Sequence, residues 1–208
     1  LRLKFNSLIY HPPTQTARVK QNFNKSPKQS IINMIQQVVL VDKNNRKIGI
    51  EEKIKAHKEG KLHRAFSIFI FNSKGELLIQ QRAKTKYHSG GLWSNTVCSH
   101  PKPNETYQQA IHRRLKEEMD FDCKLKKLFC FIYNTGFQKG LIENEYDCVF
   151  IGNFDGKPKP NPQEIMNYKW ISVNELKQDI IKNSNKYTIW LKISLNRIKS
   201  LQIKEAIK

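Results

Sequence analysis

Ser99-His100-Pro101-Lys102-Pro103-Asn104-Glu105 is followed, after seven residues, by Arg113-Arg114-Leu115-Lys116-Glu117-Glu118. Ala110, Ile111, Leu115 and Met119 approximate a helical stripe, so a helix is expected over Glu105 to Met119. Arg114 and Glu118 stand four apart and share one face of it. A carboxylate pointing off such a helix toward a phosphate-bearing ligand can hold Mg2+, the metal then bridging protein and diphosphate oxygens. The same pair also suits a solvated Arg–Glu contact on a surface helix, and the stretch alone does not choose.

Strand signals surround this helix. Val38 to Val41 is a short β-branched run closed by Asp42-Lys43-Asn44-Asn45, and Ile48 to Ile50 is placed to pair back with it. Glu51 to Lys58 reads as a short helix. Ala65 to Phe71 and Leu77 to Gln81 flank Asn72-Ser73-Lys74-Gly75, a hairpin signal with Gly at the turn. Leu92 to Cys98 is expected to be extended or irregular. Phe129 to Tyr133 and Asp147 to Ile151 read as strands. Ser172-Val173-Asn174-Glu175 has capping-box spacing and starts another helix, and a last helix is expected from Tyr187 onward. Interleaved helices and strands predict an α/β fold with a mixed sheet covered by helices.

Composition sets wider bounds. The 208 residues suffice for one substantial domain, and 38% of them are hydrophobic, enough for a core. No apolar run approaches the length of a membrane span. Residues 1–41 carry six Lys or Arg and no Asp or Glu, and residues 1–34 read as a flexible basic extension with some likeness to a transit peptide. The folded domain is expected over residues 35–208. The formal charge of +19 favours anionic ligands, although Lys is scattered along the whole chain. No nucleic-acid-binding signature accompanies it, so no specific nucleic-acid partner and no membrane is expected. Cysteines at 98, 123, 130 and 148 form no C-x-x-C pair, which points to free thiols, a reducing compartment and a cytoplasmic location. Cys123, Cys130 and Cys148 are expected to be small core residues.

Two further groupings bear chemistry. His57, His63, His100, Glu143 and Glu145 are ligand types that together suit one divalent ion such as Mn2+ or Zn2+. If residues 143–145 are extended, Glu143 and Glu145 share a side of the strand, which is costly unless they are paired or metal-bound. His11, His88 and His112 join no such group. Trp93-Ser94-Asn95-Thr96-Val97-Cys98-Ser99-His100 sets a thiol two residues from a candidate ligand. A Cys in cation-rich surroundings can have a lowered pKa and act as acid or base. A buried inert thiol and a further metal ligand are the other readings of Cys98.

Taken together, these segments resemble the type 1 isopentenyl-diphosphate isomerases of the Nudix superfamily. The resemblance rests on Lys53-x-x-x-His57, Leu62-His63-Arg64-Ala65-Phe66, Gln81-Arg82-Ala83, Lys86-Tyr87-His88-Ser89-Gly90-Gly91-Leu92-Trp93, Asn95-Thr96-Val97-Cys98-Ser99-His100-Pro101, Arg113-Arg114, Glu143-Asn144-Glu145 and Tyr187-Thr188-x-Trp190. It runs in order over roughly residues 36–195. It implies a Nudix-type α/β/α sandwich with a mixed β-sheet and a loop-helix-loop metal site. The implied reaction turns isopentenyl diphosphate into dimethylallyl diphosphate by protonation and deprotonation of the alkene.

The resemblance also implies residue roles. His57, His63, His100, Glu143 and Glu145 would hold Mn2+, Zn2+ or Mg2+. Glu118 would help bind Mg2+ on the diphosphate. Lys53, Arg82, Lys86 and Arg114 would clamp the diphosphate oxygens. Cys98 and Glu145 would flank the five-carbon group, with Tyr133 beside Glu145 and the Trp190 ring facing the allylic centre. Which of Cys98 and Glu145 acts as acid in a given direction stays open. A monomer or weak homodimer is expected.

The chain departs from the general Nudix pattern at four positions. Ser99 stands where Gly opens the box, and Arg114 replaces the glutamate usual in hydrolases. Asp120 occupies the place of the closing Gly, and Asn104 stands where a Gly often precedes Glu105. Arg114 argues against the main enzymatic alternative, a nucleotide pyrophosphohydrolase. Asp120 and Asn104 bear only on loop geometry, since both residue types tolerate the left-handed conformation.

Overall fold

The computed structural model describes residues 36–137, 140–199 and 203; the basic extension over 1–34 lies outside them. β1 (Gln37–Val41) pairs antiparallel with β2 (Lys47–Glu52), as the β-branched run and its turn predict. α1 (Lys53–Lys58) follows at once. Its N-cap is Glu52, whose carboxylate accepts from the Ile54 and Lys55 amides. β3 (His63–Phe71) is the centre of the sheet. It pairs parallel with β8 (Ile142–Asn153) over its whole length, and antiparallel on its other side with β6 (Val97–Ser99). The sheet is therefore mixed.

The hairpin at Asn72-Ser73-Lys74-Gly75 forms, with Gly75 at φ +76°. It stays paired only at Phe71 and Leu77. β4 (Glu76–Arg82) then leaves β3 for β9 (Ile165–Ser172) and the short β5 (Trp93–Ser94). β7 (Leu125–Gly136) and β8 are both longer than their sequence signals, and β9 has no counterpart among the expected strands.

Alternation along β3 divides the core. Phe66, Ile68 and Ile70 face α2 (Tyr107–Met119), packing with Ala110, Ile111, Leu115 and Met119. Phe69 and Phe71 face the other way, toward Leu176 of α3 (Val173–Lys182) and Trp190, Leu191 and Leu195 of α4 (Ile189–Arg197). The result is the expected α/β/α sandwich. Full burial of each Ile, Leu or Met on the α2 stripe contributes roughly 1.5–3 kcal/mol. α2 begins at a Thr106–Gln109 capping box, two residues later than expected, and α3 at the expected Ser172–Glu175 box. Asp120 ends α2 in the left-handed region at φ +59°, the conformation its place in the box requires. Asn104 is not among the positive-φ residues, so its loop needs no such accommodation.

The thiol reading needs correction. Cys130 and Cys148 lie directly opposite each other on β7 and β8 and form a disulfide, so only Cys98 and Cys123 are free. The cause is strand register, which a sequence separation of 18 does not reveal. Only Cys148 of the three is fully buried. The argument for a reducing compartment that rested on four free thiols falls with this bond.

Glu51 ties α1 to the turn after it through Lys61 at 2.8 Å and Lys55 at 3.2 Å. Hydrogen bonding from Lys61, then from the Glu52 amide and Lys55, holds its carboxyl down at about 2. A depressed carboxyl pKa stabilises the fold above the unfolded value, near 4.5, and that contribution is lost as pH falls toward 2. Glu51→Gln is therefore expected to flatten this limb of the stability–pH curve: the variant loses the small, solvent-screened contribution near neutrality and converges with the parent toward pH 2. Chemical unfolding of both proteins between pH 2 and 7 checks this; identical slopes would contradict it.

Candidate active site

Four segments bring the site together. On β8, Glu143 and Glu145 project to one side, as period-2 alternation requires. Tyr133 is the cross-strand neighbour of Glu145 on β7, and its hydroxyl lies 2.6 Å from Glu145 Oε2 and 2.8 Å from Glu143 Oε2. One hydroxyl proton cannot serve two carboxylates. Burial first, then the Glu145 charge, pushes the Glu143 carboxyl up to about 8. The Tyr133 hydroxyl is placed to donate to either carboxylate, and so links the two. Burial alone would raise Glu145 too, but contacts from His100 and His63 outweigh it and hold Glu145 well below the usual carboxylate range.

α1 and β3 supply imidazoles with fixed tautomers. His57 Nδ1 lies 2.6 Å from the Lys53 carbonyl, and His63 Nδ1 lies 2.8 Å from the Lys61 carbonyl. Both carbonyls accept, so in the neutral form each ring keeps its lone pair on Nε2. Burial pushes His57 down to about 4, so the ring is neutral at ordinary pH. His57, His63, His100 and Glu145 offer ligand atoms that all lie within 4.8 Å of one another. His63 Nε2 is buried and has no hydrogen-bond partner among the described residues, and His57 Nε2 has only the Tyr87 hydroxyl at 3.3 Å. Three imidazoles converging on a buried carboxylate, with His100 Nε2 2.9 Å from Glu145 Oε1 and His63 Nε2 unpartnered among the described residues, fit a divalent cation.

Beside this cluster, Glu143 stands with His57 and with His88, a residue that the sequence left outside every constellation. His88 Nε2 lies 3.0 Å from Glu143 Oε1.

Cys98 is held by the polar run before it. The Asn95 amide donates to the Ile68 and Val97 carbonyls, and Thr96 Oγ1 donates to the Leu78 carbonyl and accepts from the Ile70 amide. These buried side chains take the place of strand hydrogen bonds and fix the β5–β6 turn. Arg82 Nη1 stands 3.5 Å from the Cys98 sulfur and the Ser94 hydroxyl 3.9 Å from it. Of the readings open for Cys98, burial describes its setting. Burial pushes the thiol up to about 11, and Arg82 offsets only part of this. Cys98 therefore keeps its proton at neutral pH.

Trp190 reaches the pocket because the Thr188 amide is bonded to the Trp93 carbonyl at 2.9 Å, pinning the start of α4. Its indole N–H donates to Ser94 Oγ at 2.8 Å, and the Arg82 guanidinium lies over its ring at 5.3 Å.

Cations gather at one end. Burial, then the charges of Lys86, Arg82 and Arg114, brings Lys53 down to about 8. Such crowding is unfavourable without an anion. Glu118, expected to face a diphosphate-bound Mg2+, is buried beneath Arg114, with Arg114 Nη2 at 2.5 Å and Gln80 Nε2 at 3.4 Å. Glu164, absent from the sequence reading, contacts both Lys86 and Arg114, the latter at 3.1 Å. It sits in a loop before β9 with no motif to mark it.

Lys53, Arg82, Lys86, Arg114, Cys98, His88, His100, Tyr133, Glu143, Glu145 and Trp190 all line one pocket. The expected clamp, thiol and carboxylates are thus brought to one place, while Glu118 stands behind the clamp.

The chain is similar to known proteins over most of its length. The NUDIX domain profile matches residues 61–191. The chain is 53% identical over 165 residues to isopentenyl-diphosphate Delta-isomerase 2 of Aromatoleum aromaticum, covering 79% of this chain and 87% of that one. It is 49% identical over 168 residues to isopentenyl-diphosphate Delta-isomerase 2 of Photorhabdus laumondii, covering 81% and 95%. Among solved structures, DR0079 from Deinococcus radiodurans superposes with a TM-score of 0.61 at 19% identity, over 83% of this chain and all of the other, a likeness of fold alone.

Proposed function

The chain belongs to the NUDIX family and, within it, to the isopentenyl-diphosphate Delta-isomerases, and on that premise we propose that Cys98 and Glu145 carry the proton transfers of its reaction. The enzyme isomerises isopentenyl diphosphate to dimethylallyl diphosphate. The observation that carries the residue assignment is the shared pocket. A protonated thiol and a carboxylate wired to a proton-bearing hydroxyl line the same cavity as four clustered cations.

The diphosphate binds first in importance. Lys53, Arg82, Lys86 and Arg114 receive its charge, and Glu164 yields Lys86 and Arg114 to it. That remote binding energy holds the alkene between Cys98 and Glu145. One group gives a proton to the terminal carbon, a tertiary cation forms, and the other removes a proton from the adjacent methylene. The reaction is reversible, so each group is acid in one direction and base in the other. Tyr133 and Glu143 move protons to and from Glu145. Trp190 faces the cation without offering a nucleophile, and exclusion of water prevents capture as an alcohol. His57, His63, His100, Glu143 and Glu145 would hold a divalent ion, which would supply positive charge beside Glu145. Glu118 would help bind Mg2+ carried by the diphosphate once Arg114 turns from it to the phosphate oxygens.

Incubating metal-reconstituted protein with isopentenyl diphosphate tests the assignment: the dimethylallyl isomer appears and no phosphate is released. Trp190→Leu is expected to lower kcat roughly 30-fold, the equivalent of about 2 kcal/mol of cation–π stabilisation. Trp190→Phe keeps a ring while losing the same bond to Ser94, so it should retain more activity. Equal losses in the two variants would place the effect in that bond and not in the ring.

A further inference from the structure

Thr188 stands at the N-cap of α4, yet its hydroxyl makes no bond to the helix. Thr106 and Ser172, at the same position of α2 and α3, both close capping boxes with theirs. Thr188 is buried, so its hydroxyl needs a partner inside the protein. That partner is Ser94 Oγ, 3.0 Å away and itself fully buried. Neither residue lines the pocket, whereas Cys98 and Trp190, which Ser94 touches, both do.

Ser94 Oγ has one proton and two lone pairs. The Asn95 amide nitrogen donates to the Ile68 and Val97 carbonyls, so its Oδ1 is turned to Ser94 and accepts the Ser94 proton at 3.1 Å. The Trp190 indole can only donate, and it takes one lone pair at 2.8 Å. With the Ser94 proton already on Asn95, Thr188 is the donor of the 3.0 Å pair and takes the other lone pair. The Cys98 sulfur, 3.9 Å from Ser94 Oγ, finds no acceptor left there. Arg82 Nη1, 3.5 Å from the sulfur, donates and accepts nothing. The thiol proton is thus left without an acceptor among the described residues, on a side chain that faces the pocket.

We propose that Ser94 and Thr188 are positioning residues of the isomerisation: by filling the Ser94 oxygen, Thr188 keeps the Cys98 S–H aimed at the alkene, and the same oxygen holds the Trp190 ring where the cation forms. This rests on the proton transfer assigned to Cys98. Whenever Cys98 is the donor, its S–H has to point at the alkene carbon, because transfer needs the two within reach of each other. A lone pair left open on Ser94 would turn the S–H away from the substrate. One buried oxygen therefore couples the thiol that moves the proton to the ring that faces the resulting charge.

Thr188→Val, which keeps the shape of the side chain and removes its hydroxyl, tests this in the full-length, metal-reconstituted protein. kcat for isopentenyl diphosphate is expected to fall roughly tenfold with KM unchanged, the size of effect that one lost positioning hydrogen bond gives. Thr188→Ser returns the hydroxyl and most of the rate. Infrared absorption in the S–H stretching region, without substrate, reads the thiol directly. The Cys98 band, identified by its loss in Cys98→Ala, should move to lower wavenumber in Thr188→Val as the S–H turns to the freed lone pair, and move back in Thr188→Ser. Thermal unfolding checks that each variant is folded; Thr188→Ala serves if valine is not tolerated. Unchanged kcat in the valine or alanine variant overturns the proposal. A lowered kcat with the Cys98 band unmoved, or with no Cys98 band in either protein, also overturns it, since the loss then comes from packing alone. Normal turnover by Cys98→Ala removes the premise and this inference with it, whereas an inactive Cys98→Ala beside an unaffected Thr188→Val overturns this inference alone.

Discussion

Cys98→Ala is expected to lower kcat for isomerisation by roughly 10²–10⁴-fold or more, the range supplied by a positioned acid or base, while KM for isopentenyl diphosphate stays near its original value. The thiol is far from the Lys53, Lys86 and Arg114 clamp in chemical role, and its replacement removes no diphosphate contact. Only Arg82 touches both regions, through its 3.5 Å contact to the Cys98 sulfur. Loss of the sulfur leaves a small space beside Ser94, and the buried Asn95 and Thr96 bonds that shape the turn are untouched. Stability should therefore change little. Steady-state kinetics and unfolding of the same preparation check both halves. A variant that is folded and turns over at a near-normal rate would falsify the assignment of Cys98.

Glu145→Gln is expected to be at least as damaging, because two functions depend on one carboxylate. It loses the proton relay through Tyr133 and one anionic ligand of the His57, His63 and His100 set. The shape of the side chain is preserved, so packing on β8 persists. The variant should show less bound divalent metal as well as little turnover, and excess metal should not restore the rate. Metal content by elemental analysis, paired with turnover across a metal series, separates the two effects. Recovery of activity at high metal concentration would reduce Glu145 to a ligand and remove it from the proton path.

Much of the fold was legible because local signals were strong and unopposed. Helix caps are set by short-range hydrogen bonds, so the Ser172–Glu175 box could be read directly. The α2 stripe could be read from its period. Strand β9 left no such mark: only Ile165 is fully buried along it, and it follows a Pro-spaced loop, so neither alternation nor an apolar run announces it. The disulfide depends on which residues of β7 and β8 stand opposite, a consequence of long-range pairing.

The site divides in the same way. Glu143 and Glu145 were readable as a same-face pair from strand period alone. The protonation state of Cys98 stayed open because nearby positive charge and burial pull it in opposite directions, and burial is the larger effect. His88 lay inside a matched motif, but its neighbours are set by the Ser89 to Gly91 turn rather than by spacing. Glu164 was beyond reach, since its partners Lys86 and Arg114 lie 78 and 50 residues away in the chain.

The central claim is that an outside proton is delivered to the alkene and a different one removed. The most direct measurement is the reaction of isopentenyl diphosphate with metal-reconstituted enzyme in D2O, with the product followed by NMR. Dimethylallyl diphosphate carrying deuterium in a methyl group is the predicted result. Product formed without deuterium, by transfer of the substrate's own hydrogen, would contradict the roles given to Cys98 and Glu145.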